Sequence, residues 1–136
     1  MKHKKPLALI LSLITALTLS IPVIAQEGNI PDKIIILHTN DVHCGIDDNI
    51  GYAGLVSCKA QMEQVYGREN VTLVDAGDAI QGGAIGTLSD GAFPVDIMNQ
   101  AGYDIAVPGN HEFDYGMDNF LRLAEERAEY TYVCSN

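Results

Sequence analysis

Val71-Thr72-Leu73-Val74-Asp75-Ala76-Gly77-Asp78-Ala79-Ile80-Gln81-Gly82 decides the fold: a short apolar run that reads as a buried strand closes on a glycine-flanked carboxylate. Two other segments share that design. Residues 34–38 read as a strand leading into Asp41-Val42-His43, and residues 103–107 as one leading into Gly109-Asn110-His111-Glu112-Phe113-Asp114. An open α/β sheet binds its ligands just outside the carboxyl ends of its strands. Three strand ends therefore bring oxygen and nitrogen donors towards one crevice, which predicts a metal site.

The intervening residues read as helices. Residues 52–66 carry an apolar stripe at Leu55, Cys58, Met62 and Val65, and Gly67 is a natural stop. A glycine-rich loop is expected over 76–86. Residues 93–101 read as a short helix with Pro94 in its first turn and Gly102 at its end. A last helix has Met117, Phe120, Leu121, Ala124 and Ala128 on its core face and Arg122, Glu125, Glu126 and Glu129 on its wet side, and residues 130–134 read as a fourth strand. The order β-α-β-α-β-α-β implies an α/β fold of mainly parallel strands with right-handed crossovers. The spacings of 37 residues from Asp41 to Asp78 and 32 from Asp78 to Asn110 each accommodate one βα unit.

The 136 residues suffice for one modest domain. Lys2, His3, Lys4 and Lys5 precede an apolar run from Leu7 to Leu19, followed by Pro22 and the small-residue site Val23-Ile24-Ala25. This reads as a signal peptide over 1–25, with a linker at 26–33, and implies export to a periplasmic, cell-surface or extracellular location. The alternative is an uncleaved anchor, because no charge interrupts residues 6–26. After cleavage no stable membrane span is expected. Loss of Lys2, Lys4 and Lys5 leaves five basic residues against 18 acidic ones, a net charge near −13. That balance excludes a nucleic-acid polymer as partner, which needs a basic face. It leaves room for a small phosphate substrate, since bound dications invert the local potential. Cys44, Cys58 and Cys134 match no zinc ribbon or disulfide framework. Cys58 reads as core and Cys44 as a small loop filler.

In an extended segment, residues two apart face the same way, so Asp41 and His43 can grip one ion together. Asp78 adds a second carboxylate, where the flanking glycines allow close backbone approach. No Gly-Lys-Ser/Thr follows it, and residues 82–86 do not match the dinucleotide fingerprint. Asn110 offers an amide oxygen suited to a hard or borderline dication. His111 projects differently and is free to meet substrate. Asp114, three residues on, can accept an imidazole N–H, fixing the tautomer and favouring the charged ring. Glu112 receives no chemical role, either exposed or lying behind the ligands. Asp75 ranks below Asp78 as a ligand and is expected to support its loop by hydrogen bonding. Asn70-Val71-Thr72 matches an N-glycosylation sequon.

The ordered set Asp-x-His, Gly-Asp-x-x-Gln-Gly and Gly-Asn-His-Glu-Phe-Asp resembles the calcineurin-like metallophosphoesterases, and within them the exported 5′-nucleotidases. The resemblance runs from Ile34 to Asn136. It implies a four-layer α/β/β/α sandwich of which residues 34–136 supply the N-terminal part. It also implies two divalent ions (Zn, Mn, Co, Fe or Mg). Asp41 and His43 would hold the first, Asp78 would bridge both, and Asn110 would bind the second and touch the substrate phosphate. His111, held by Asp114, would stabilise developing charge or protonate the leaving oxygen, while a hydroxide activated by both ions attacks phosphorus in line. The implied substrates are nucleotides or other small phosphoesters. Sibling activities are a 2′,3′-cyclic-nucleotide phosphodiesterase with 3′-nucleotidase activity and a nucleotide-sugar hydrolase. The family's downstream histidine ligands have no counterpart in these 136 residues. The reading of a different class is therefore an inactive exported product that holds at most one metal.

Overall fold

A computed structural model describes residues 33–135. The expected signal peptide and nearly all of the linker lie outside the described residues. Within them, strands β1 (Ile35–Thr39), β2 (Val71–Asp75), β3 (Ile105–Ala106) and β4 (Thr131–Tyr132) form one sheet. All three pairings are parallel, in the order β1-β2-β3-β4. Helices α1 (Gly51–Tyr66), α2 (Ala84–Ser89), α3 (Ala92–Ala101) and α4 (Met117–Glu126) fill the connections, with short 3-10 turns at Arg68–Asn70 and His111–Phe113. Right-handed crossovers between strands in sequential order all fall on the same face of the sheet. Val71, Leu73 and Asp75 of β2 are accordingly buried while Thr72 and Val74 are half-buried. The core joins Leu73 and Ala106 to Tyr52, Leu55, Val95, Met98, Leu123 and Tyr130. On the other face Ile36 remains 64% exposed. The second sheet implied by the resemblance is not among the described residues, and none of their helices is long and apolar enough to cross a membrane.

Strand β2 has the expected bounds, and β1 pairs with it from Ile35 opposite Val71 to Thr39 opposite Asp75. The third and fourth strands are shorter than expected. At the start of β3 the Asp104 carboxylate accepts the Leu73 N–H at 2.8 Å, replacing a ladder bond with a side-chain one. Tyr103 donates its N–H back to Met98 at the end of α3 and so belongs to the helix cap. Gly102 ends α3 as expected, in the left-handed conformation that a Cβ disfavours.

Three expectations are corrected. First, α2 occupies the end of the segment read as a glycine loop. Gly83 and Gly86 hide its helical propensity, yet buried Gly86 lets this turn close over Cys44 and Ile80. Second, the buried face of α1 is Tyr52, Leu55 and Lys59, with Cys58 and Met62 half-buried and Val65 exposed. The helix presents Tyr52 to Tyr103 (ring centroids 6.3 Å), and Lys59 can be buried because Glu63 sits 3.0 Å from its ammonium. Third, α4 buries Phe120 and Leu123, leaving Met117 and Leu121 exposed. Phe120 wedges edge-on between Phe113 and Tyr132, both 5.0 Å away, and that anchor sets the rotation of the helix.

Candidate metal centre

The three loops following β1, β2 and β3 meet at the carboxyl edge of the sheet. Loop one is laced to loop two by backbone bonds that extend the ladder: Asp41 N–H to Gly77 O (3.0 Å), His43 N–H to Asp78 O (2.9 Å) and Cys44 N–H to Ala79 O (3.0 Å). This lacing requires tight backbone. Asp41, His43, Cys44 and Asp78 all have positive φ, between 47° and 62°, where a side chain costs roughly 1 kcal/mol or more. Only two other described non-glycine residues, Asn49 and Asp90, share that conformation, so backbone strain concentrates at this edge. Gly77 is required by contact as well as by its φ of +105°, because a Cβ there would lie 2.6 Å from the Gly109 nitrogen.

His43 donates its Nδ1–H to the Gln81 carbonyl at 3.0 Å. A carbonyl can only accept, so the tautomer is fixed and Nε2 keeps its lone pair for an ion. His111 donates Nδ1–H to Asp114 Oδ2 at 2.7 Å, the pairing anticipated from their spacing. The two imidazoles meet edge-to-face with centroids 5.1 Å apart. One ligand atom from each of His43, Asp78 and His111 lies within 4.8 Å of the others. His43 and Asp78 thus offer a neutral imidazole and a carboxylate to a borderline dication, with the His111 ring beside the same point. The residues present thus fit the divalent ions that the resemblance implies. Asp41 adjoins the group through its backbone, with its carboxylate exposed and accepting the Asn40 amide at 2.7 Å. Asn110 is exposed at the start of the turn that carries His111.

The electrostatics separate two acids and a base. The Asp114 hydrogen bond raises the His111 pKa above its ordinary 6.5, with the charges of Asp114, Asp78 and Glu112 adding to it. Burial pushes Asp75 up to about 6, against opposing bonds from Thr39 and Gly77. Asp75 does support its loop as expected: Oδ2 accepts the Gly77 N–H at 2.9 Å and Oδ1 accepts the Thr39 hydroxyl at 2.7 Å. Burial also raises the Cys44 thiol, which fits a loop filler.

Glu112 is the residue whose place the sequence conceals. It is 1% exposed, and its carboxylate accepts N–H groups from Gly109 (2.6 Å), Asp78 (2.9 Å), Ala79 (2.8 Å) and Ile80 (3.4 Å). Three of those donors lie in a different loop, over 30 residues away, which no local pattern reveals. The bond to Gly109, three residues back, has the reach of a capping box and is the one part legible from spacing.

The calcineurin-like phosphoesterase family matches residues 34–136. The 5′-nucleotidase of Homo sapiens is 31% identical over 116 residues, 76% of this chain and 20% of that protein. The snake venom 5′-nucleotidase of Naja atra is 30% identical over 115 residues, 76% of this chain and 22% of that one. The solved structure of Haemophilus influenzae NAD nucleotidase superposes with a TM-score of 0.65 at 27% identity, over 76% of this chain and 20% of that chain. Calcineurin-like phosphoesterase YfkN from Bacillus subtilis gives 0.62 at 26% identity, over 74% of this chain and 36% of that chain. The chain spans about a fifth of the length of the curated relatives it matches.

Proposed function

Because the chain belongs to the calcineurin-like phosphoesterase family, a family of hydrolases, we propose that it serves metal-dependent hydrolysis of a nucleotide phosphoester, in the manner of a 5′-nucleotidase. The observation that carries this reading is the convergence of His43, Asp78 and His111, an imidazole and a carboxylate for an ion with a second imidazole beside them, the Nδ1 of each histidine already hydrogen-bonded. In our assignment Asp41 and His43 would hold one divalent ion, Asp78 would be shared with a second, and Asn110 would serve that second ion and the substrate phosphate. Divalent ions there supply Lewis-acid stabilisation of phosphoryl charge and a more acidic water. His111 contacts the substrate and gives its Nε2 proton to the leaving oxygen. Asp114 holds that ring in place and keeps it charged to higher pH. We place residues 1–25 as an export signal and residues 34–136 as the N-terminal part of the catalytic domain, with the product outside the cytoplasm.

The test is phosphate release by the full-length exported protein from 5′-AMP, with and without chelator. Asp78→Asn should abolish metal-dependent turnover. His111→Ala should reduce it sharply while metal content stays near that of the wild type. Equal loss of metal in both variants would refute the division of roles. A substrate panel separates the siblings: 2′,3′-cyclic AMP, a nucleotide sugar, and NAD, the last included because NAD nucleotidase is among the similar structures. A protein that takes up one equivalent of metal and hydrolyses none of these would support the inactive reading.

A further inference from the structure

Glu112 places a buried negative charge beside a site already rich in carboxylates, yet that charge meets amides on every side. The N–H groups of Asp78, Ala79 and Ile80 are consecutive and converge because Asp78 is left-handed, with φ +58°. Such a concavity of successive amides is an anion-binding nest. In many glycine-rich loops a nest of this kind would hold a phosphate; here the protein's own carboxylate fills it. Oε1 takes Ala79 and Ile80, while Oε2 takes Asp78 together with Gly109 from the third loop. The tie is reciprocal, since Asp78 Oδ1 accepts the His111 N–H at 2.8 Å. Two carboxylates, one from each loop, thus bind the backbone of the opposite loop.

We propose that Glu112 is a positioning residue, a clamp that sets the separation of Asp78 from the Asn110–His111 pair by holding the amides of both loops on one buried carboxylate. This rests on the metal-site reading above and names what keeps that site assembled before an ion arrives. Four donors on a single anion suit a carboxylate and no neutral isostere. Glutamine would present its amide N–H₂ to two of the four N–H donors, either those of Ala79 and Ile80 or those of Asp78 and Gly109, leaving that pair without an acceptor. Without the clamp the ligand atoms lose their preorganised spacing, and loss of such support typically weakens metal binding by about 10- to 100-fold.

The experiment compares Mn²⁺ affinity, read from loss of the free-ion EPR signal, for wild type, Glu112→Gln, Glu112→Asp and Asp104→Asn in the full-length protein. Asp104 is the control because its carboxylate also accepts a backbone N–H, that of Leu73, but away from the site. Glu112→Gln should weaken Mn²⁺ binding at least ~10-fold, with the charge-retaining Glu112→Asp partly restoring it. Asp104→Asn should leave affinity unchanged even where it lowers the melting temperature. Equal weakening by Glu112→Gln and Asp104→Asn, or none in a folded Glu112→Gln, overturns the proposal. Should the glutamine variant fail to fold, unchanged affinity in Glu112→Asp has the same force. Amide exchange of the metal-free wild type needs no variant: Gly109, Asp78 and Ala79 should exchange together as one slow unit. Fast exchange at Gly109 beside a protected Ala79 refutes the clamp. A wild type that binds no Mn²⁺ but shows that joint protection refutes the metal-site reading and leaves the clamp standing.

Discussion

Replacing Asp75 by asparagine should stabilise the metal-free protein at alkaline pH. Asp75 is 3% exposed, and burial holds its carboxyl at about 6 instead of the ordinary 3.8. A carboxyl raised in the fold binds its proton more tightly in the native than in the unfolded chain. Native stability therefore falls as pH rises from the unfolded value through the folded one. The full gap corresponds to about 3 kcal/mol, of which about 0.5 kcal/mol is already lost at pH 4. Asparagine fits the same partners. Its Oδ1 can accept the Gly77 N–H, and its Nδ2 can donate to Thr39 Oγ1, which then turns its proton to the Tyr103 hydroxyl 2.7 Å away. The assay is urea unfolding of both proteins in EDTA at intervals from pH 4 to pH 8. Titrating groups that do not interact with Asp75 cancel in the difference between them, and Glu112 and Asp41 are the acids coupled to it. The asparagine variant should pull ahead by about 2.5 kcal/mol across that range. A difference that stays constant with pH, or a wild type that gains with rising pH, would show that the fold favours the Asp75 anion and would refute the reasoning.

Removal of the Asp114 carboxylate by Asp114→Asn should lower the His111 pKa towards 6.5, because the Asp114 hydrogen bond is the largest cause of its elevation. An NMR titration of the His111 ring protons reads this directly, and an unmoved midpoint would assign the shift to Asp78 and Glu112. Gly77→Ala and Gly116→Ala both place a Cβ at positive φ, but at Gly116 nothing lies within 4 Å, whereas at Gly77 the Gly109 backbone is 2.6 Å away. Gly116→Ala should cost about 1 kcal/mol in strain alone and Gly77→Ala roughly 3 kcal/mol or more, and equal losses in thermal unfolding would exclude the inter-loop clash.

How much of this molecule is legible in its sequence depends on the range of each interaction. Residues 71–75 declare a buried strand through consecutive β-branched and apolar residues, and Gly102 declares a helix end through its lack of a Cβ, because both signals are local. His111 and Asp114 are separated by one turn, so their hydrogen bond follows from spacing. The family resemblance likewise sits in contiguous motifs. Other features answer to tertiary contact. The rotation of α4 is set by Phe120 meeting Tyr132, and α2 forms behind a glycine N-cap and across Gly86 because Gly86 closes over Cys44 and Ile80. The start of β3 is met by Asp104 capturing the Leu73 amide from another strand.

The sequence by itself determined the α/β order, the three strand-end motifs and the donor types they bring to one edge, since periodicity and residue chemistry act within a few positions along the chain. Only the tertiary structure decided that His43, Asp78 and His111 converge within 4.8 Å while the Asp41 carboxylate stands exposed beside Asn40, and that Glu112 ties the second loop to the third. Those placements depend on where backbone N–H groups from distant segments come to rest, and no single segment encodes the position of its partner.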